Sequence, residues 1–166
     1  MNPWKCKEWQ EFYCDKLFIR SSLRMHYCKE IDGKLKLFFN DFSKWLRKNY
    51  IFPIRVNVYL KSTCYIRAVD GENVSATFWG PFDRTAEPYI KIAAGDYNKL
   101  KTRYDEFNAL CSSIASLAHE LTHYFQWIND WDLTPEQEER QAEYYAEKIV
   151  YAYLDECGYD YLDSLS

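Results

Sequence analysis

Apolar side chains recur with a helical period over the first third of the chain. Residues 3–20 carry them at helical spacing, and residues 34–50 repeat the pattern along one stripe. Asp32 and Gly33 mark a turn between these two segments. We therefore expect two N-terminal helices. The stripe of the second helix consists of Leu35, Phe38, Phe39, Phe42, Trp45 and Leu46.

After residue 53 the period of the apolar positions changes from that of a helix to that of a strand. Residues 54–61 alternate between apolar and polar side chains, which predicts a half-buried strand. Two further strands are expected over 64–69 and 74–79, because residues 70–73 have the Asp-Gly-Glu-Asn sequence of a hairpin turn. Tyr89–Ala93 is a short fourth strand, so the middle of the chain predicts a small sheet.

The helical period returns at about residue 98 and continues to about residue 128. A second stripe of this helix carries His119 and His123, and the residues that precede the histidines on it are small. Small side chains leave space beside the histidines, as a substrate cleft requires. These small residues are Ser112, Ala115 and Ser116. The stripe that should face the core consists of Phe107, Leu110, Ile114, Leu117, Leu121, Phe125 and Ile128.

Start and stop signals define one last helix. Thr134 is a favourable N-cap, Pro135 suits the first helical position, and Gln137 completes a capping box. Gly158 is a natural end for this helix. The order of helices, a small sheet and then further helices predicts an α+β fold. At this length we expect residues 1–166 to form a single domain.

Composition narrows the classes of protein that fit. Hydrophobic residues make up 48% of the chain, which is enough for a core and argues against global disorder. The net charge of −4 does not suit a direct nucleic-acid binder. No stretch reaches the roughly 18 apolar residues that a membrane span needs, and the N-terminus lacks the apolar core of a signal peptide. We therefore expect a cytoplasmic protein with reduced thiols. The six cysteines form no C-x-x-C pair, which excludes the usual zinc-ribbon or redox spacing, and we expect them to be free and mostly buried.

The stretch His119-Glu120-Leu121-Thr122-His123 has the HExxH spacing of zinc-dependent peptidases. Positions four apart lie on one face of a helix, so the two imidazoles can bind one metal ion. Glu120 lies beside them and can act as the general base toward a water at that ion. The motif therefore predicts His119 and His123 as metal ligands and Glu120 as the catalytic residue.

A catalytic zinc site usually has three protein ligands, so this motif needs a third one. The remaining histidine, His26, is remote in sequence and is not surrounded by other ligand types. Glu139 and Glu143 lie four apart on one face of the last helix, where Ala142 and Ala146 would allow a close approach to the histidines. We expect Glu139 to be the ligand and Glu143 to accept a hydrogen bond from a ligand histidine, with the swapped assignment as the alternative.

The sequence HELTHYFQW, followed by a helix that reads EERQAEYYAEKIV, resembles the gluzincin group of zincin metallopeptidases. In that group the third ligand is a glutamate downstream of HExxH, often in a Glu-x-x-Ala pattern, and both such sequences of the last helix fit. Over residues 88–154 the chain is most similar to the small cytosolic ImmA/IrrE-like peptidases of bacteria and phages, with Tyr145 as the aromatic residue of the final helix. It departs from their pattern at Thr122, where glycine is common.

The resemblance implies a minimal zincin-like domain, in which a small mixed sheet packs on the HExxH helix and the glutamate helix. It implies one zinc ion at His119, His123 and Glu139, and hydrolysis of peptide bonds by a zinc-activated water with Glu120 as general base. The substrate would be a peptide or a protein, such as a regulatory protein. Tyr89–Ala93 would be the edge strand along which the substrate pairs.

The sequence leaves two choices open. The donor to the developing oxyanion is unassigned among Tyr144, Tyr145 and Tyr151. The alternative function is a catalytically idle zincin-like binding or regulatory protein of a bacterial or phage system, which would use the same residues for recognition alone. Substitution of Glu120 separates the two functions, because only hydrolysis requires a general base.

Overall fold

A small mixed sheet and four α-helices with defined bounds make up the computed structural model, which describes residues 1–8, 13 and 20–158. The α+β class expected from the sequence is confirmed. None of the described helices is both long enough and apolar enough to cross a membrane. In chain order the elements are a 3₁₀ turn (Pro3–Lys5), β1 (Leu23–Tyr27), α1 (Gly33–Asn49), β2 (Val56–Lys61), β3 (Ile66–Arg67), β4 (Asn73–Val74), β5 (Ala76–Trp79), β6 (Tyr89–Ala93), α2 (Tyr97–Arg103), α3 (Glu106–Asn129), α4 (Pro135–Tyr153) and a π-helical turn (Leu154–Gly158).

The four-stranded sheet places β6 in its interior and β5 at its edge. The strand order is β1-β2-β6-β5, with β1, β2 and β6 parallel and β5 antiparallel to β6. Ala76 lies opposite Ile92, and Trp79 lies opposite Tyr89. The expectation that Tyr89–Ala93 is the edge strand is therefore wrong, because both of its sides already pair with neighbouring strands. The free edge next to α3 belongs to β5.

Two elements of the structure differ from those expected from the sequence. The strand β1 was not predicted, although its residues Leu23–Tyr27 alternate between apolar and polar side chains; of the five, only Leu23 is fully buried. The helix expected over 98–128 is instead the pair α2 and α3, separated at Tyr104 and Asp105. The Asp105 carboxylate accepts the backbone N–H of Asn108 at 2.7 Å, so it caps α3 at this point and starts a new helix.

Other expectations are met in part. The strand expected over 64–69 is the two-residue β3, and the one expected over 74–79 is divided between β4 and β5. The helix expected over 3–20 falls mostly outside the described residues, which show a 3₁₀ turn at Pro3–Lys5. Cys6, Cys28, Cys64 and Cys111 are free, as expected, but none of them is fully buried and Cys64 is exposed.

Buried polar contacts fix the rotation of α3 against the rest of the molecule. The hydroxyl of the fully buried Tyr124 donates to the Ile54 carbonyl at 2.6 Å and accepts the Ile54 N–H at 3.2 Å. On another side of α3, the indole N–H of Trp4 donates to the buried hydroxyl of Thr122 at 3.0 Å. Turning the helix would break these buried hydrogen bonds, which is costly. The contact with Trp4 also gives Thr122 a structural role within the HExxH stretch.

A glycine allows β5 to lie close beside α3. A Cβ at Gly80 would lie 2.6 Å from Cδ1 of Trp127, a distance that side chains do not tolerate. The indole N–H of Trp127 donates to the Pro81 carbonyl at 3.1 Å and holds the chain there as it leaves the strand. The edge strand is therefore placed next to the helix that carries the two histidines.

Candidate metal centre

The two histidines of α3 present their rings side by side. His119 and His123 are one helical turn apart, and their ring centroids lie 5.0 Å from each other. Their side chains are 24% and 16% exposed, so both are accessible without being fully solvated. The arrangement expected from the four-residue spacing is present.

Glu139 of α4 lies between these two rings. Its Oε2 atom is 3.1 Å from Nε2 of His119, and its Oε1 atom is 3.0 Å from Nε2 of His123. The predicted capping box fixes the start of α4, and the fully buried Ala142 lets the helix pack closely on α3. Of the two glutamates expected as the third ligand, Glu139 is the one that lies next to both histidines. Glu143 lies one turn further along α4.

The three side chains fit a metal ion in donor type and in spacing. Ligand atoms around a tetrahedral zinc ion, with bonds of about 2.0 Å, lie roughly 3.3 Å apart. The two distances from Glu139 to the histidines, each from a different carboxylate oxygen, are close to that value, and one ligand atom from each of the three residues lies within 4.8 Å of the others. Burial, followed by the neighbouring His123, lowers the pKa of His119, which favours the neutral imidazole that binds metals. His119, His123 and Glu139 thus form a group that could hold a metal ion.

Gln126 orients His123 from behind. Nδ1–H of His123 donates to Oε1 of Gln126 at 2.8 Å, which leaves Nε2 with its lone pair toward the centre. The amide of Gln126 in turn donates to the Glu138 carbonyl at 3.0 Å and to Oε1 of Gln141 at 2.9 Å. At His123, the supporting role expected of Glu143 therefore belongs to Gln126. The sequence carried a signal for this, since a residue three positions after His123 shares its helix face.

Replacing Gln126 by alanine is expected to weaken zinc binding by about 10- to 100-fold, because the ring of His123 loses its partner. Competition with a chromogenic chelator measures the dissociation constant. A Gln126→Glu variant keeps an acceptor for Nδ1–H and should retain most of the affinity. An alanine variant that binds zinc as tightly as the wild type would show that Gln126 does not orient the ligand.

Glu120 lies beside the histidines in a nearly dry position. It is 8% exposed, and the backbone of Phe78 on β5 lies beside its carboxyl group. Burial raises the pKa of Glu120 to about 7; the positive charge of His123 lowers it, the carboxylate of Glu139 raises it, and the Phe78 N–H lowers it. A carboxyl group in this position is suited to accept and return a proton near neutral pH.

Two grooves meet at Glu120 and Glu139. The large groove, with a volume of about 970 Å³, runs between α3, α4 and the start of β5. The small groove, with a volume of about 510 Å³, continues past His123 along the rest of β5. Arg84 lines the small groove, where its guanidinium pairs with Asp130 at 2.8 Å and donates to the Trp127 carbonyl. Together the two grooves form one cleft that follows the edge strand.

The other residues considered from the sequence lie elsewhere. Nε2 of His26 is 3.0 Å from Oδ1 of Asn57, away from the metal centre. Tyr151 lines the large groove, but it lies about 18 Å beyond Glu139 along α4 at 1.5 Å per residue. Tyr144 and Tyr145 pack on each other with ring centroids 5.0 Å apart, and neither lines the cleft. The fold therefore brings none of these three hydroxyls to the centre.

No family model matches the chain, and neither does any curated protein or solved structure. The geometry of the centre and of the cleft is therefore the basis for assigning a function.

Proposed function

We propose that the protein is a zinc-dependent metallopeptidase with a zincin-like, ImmA/IrrE-like centre. His119, His123 and Glu139 hold the zinc ion, and Glu120 is the general base. One observation carries the proposal: three zinc-type ligands from two helices converge beside a buried carboxyl group, at the middle of a cleft. The general base and the metal ligands have separate roles, because Glu120 lies beside Phe78 of the edge strand while Glu139 lies between the two histidines.

Peptide hydrolysis needs a nucleophile, a proton carrier and a place for the substrate. Bound zinc supplies a Lewis acid and activates water for attack at neutral pH. Glu120 takes a proton from the attacking water on its carboxylate and delivers it to the leaving amine nitrogen. Its low exposure keeps bulk water from competing for that proton.

The edge strand β5 is the proposed platform for the substrate. β5 pairs with β6 on one side, and its other side faces the cleft. An extended peptide can add to such an edge through main-chain hydrogen bonds, which bind it with little dependence on its sequence. This mode would bring a peptide bond past Glu120, which lies beside Phe78 of β5 in the small groove.

A second candidate function is a metal-bearing recognition protein without turnover. It is favoured by the positions of Tyr144, Tyr145 and Tyr151, because none of their hydroxyls lies at the metal centre, where it could stabilise an oxyanion. In that case a peptide or protein partner would bind the same cleft and leave it unchanged.

The proposal is tested by zinc content and by hydrolysis. Purified protein dialysed against zinc should contain one ion per chain by elemental analysis and should cleave a degenerate peptide library. Chelation should abolish cleavage, and added zinc should restore it. Protein that takes up no stoichiometric zinc would refute the metallopeptidase; protein that takes up zinc and cleaves nothing would favour the recognition function.

A further inference from the structure

The large groove combines an apolar floor with one acidic wall. Its floor includes Ala115 of α3 and Val150 of α4, and its inner end is formed by Glu120, which is 8% exposed. Glu143 and Glu147 stand one helical turn apart on α4 and both line the groove. No lysine or arginine is among the described residues that line it. The groove is therefore apolar in its depth and negatively charged along one side.

We propose that the large groove selects a lysine or arginine side chain of the substrate; this rests on the proposed peptidase function and defines its specificity. A basic side chain has a long apolar stem and a charged head, which match the apolar floor and the acidic wall respectively. Neither Glu143 nor Glu147 forms an ion pair with the described residues, so both carboxylates are available to a ligand. An acidic side chain in the groove would meet like charge and is excluded.

The direction of β5 determines which residue of the substrate enters the groove. The start of β5 at Ala76 borders the large groove, and its later residues border the small groove. Antiparallel pairing is the more stable arrangement of two strands, and a peptide that pairs antiparallel with β5 runs from the Trp79 end toward the Ala76 end. The residue that follows the scissile bond therefore reaches the large groove. The inferred specificity is for cleavage on the N-terminal side of a lysine or arginine.

The first test is a degenerate peptide library cleaved by the zinc-loaded protein, with the products sequenced by mass spectrometry. Lysine and arginine should be enriched directly after the cut. Absence of enrichment at that position, or enrichment of acidic or purely apolar residues there, would overturn the inference.

The second test compares two peptides that differ only in lysine or norleucine after the cut, because norleucine keeps the stem and removes the charge. We expect kcat/KM to favour lysine by about two- to fivefold at low salt and less at high salt, because Glu143 and Glu147 are exposed. Glu147→Gln should bring the ratio toward one, while Glu136→Gln, the same change on α4 outside the groove, should leave it as in the wild type. A ratio of kcat/KM values that Glu147→Gln leaves unchanged would contradict the proposal.

A binding measurement separates this inference from the proposed activity. Zinc-loaded Glu120→Gln protein is titrated with the lysine and norleucine peptides by calorimetry, where no turnover is needed. A severalfold lower Kd for the lysine peptide supports the groove specificity even if the wild type cleaves nothing. Absence of cleavage would refute only the peptidase function. Equal Kd values would refute the specificity whether or not cleavage occurs.

Discussion

Substitution of Glu120 by glutamine is expected to lower kcat/KM for peptide hydrolysis about a thousandfold and to leave the zinc content at one ion per chain. Glutamine has nearly the same shape as glutamate and keeps a side-chain oxygen that can accept hydrogen bonds, so the site should keep its geometry. It cannot take a proton from water, and a positioned general base typically contributes about 10²- to 10⁴-fold to the rate. Stopped assays with the library peptides and elemental analysis of the same samples provide the two readouts.

Two further variants define what this result means. His123→Ala should lose both stoichiometric zinc and activity, because it removes a ligand atom that lies 3.0 Å from Glu139. Glu136→Gln makes the same chemical change outside the cleft and should behave as the wild type. Full hydrolysis by the Glu120→Gln protein would show that another group carries the proton.

The same substitution decides between the two candidate functions. A recognition protein would keep its affinity for a peptide in the Glu120→Gln variant and would show no turnover in the wild type. A peptidase would show the wild-type turnover lost in that variant while peptide binding persists. The comparison therefore needs both a binding and a kinetic measurement on the same two proteins.

Local chemistry predicted the parts of the site that are close in sequence. The four-residue spacing of His119 and His123 was enough to place both rings on one face of α3. The capping box at Thr134 fixed the start of α4, and from there the helical period placed Glu139 and Glu143 on one face. The sequence favoured Glu139 over Glu143 without excluding the latter, because the axial offset between two packed helices is a tertiary property.

The order of the strands in the sheet could not be predicted from the periodicity of the sequence. Alternation marks a strand but carries no information about which strand becomes its neighbour, so Tyr89–Ala93 and Ala76–Trp79 were not distinguished as inner and edge strands. That order depends on long-range pairing and on contacts such as the one between Gly80 and Trp127. The role of Gln126 was not predicted for a different reason. Its position on the helix face of His123 is local, but its role also depends on the hydrogen bonds that it makes to α4.

In metal-free protein, Glu120 is expected to make the wild type less stable as the pH rises. Burial raises the pKa of its carboxyl from 4.5 to about 7 in the folded state, so the folded protein binds the proton more tightly than the unfolded chain. The corresponding stability is fully present below about pH 4.5 and is lost as the pH rises through about 7. At 1.36 kcal/mol per pKa unit, the loss is about 3 kcal/mol.

Urea unfolding of the wild type and of Glu120→Gln, both with chelator present, isolates this contribution, because all other titrating groups are shared. The difference in unfolding free energy between the two proteins should shift by about 3 kcal/mol in favour of glutamine between pH 4 and pH 8. Glu136→Gln, which removes an exposed carboxyl group, should follow the pH dependence of the wild type. A difference that stays constant with pH would show that the Glu120 carboxyl is solvated, and a solvated carboxyl would lose the raised pKa that suits it to act as a base near neutral pH.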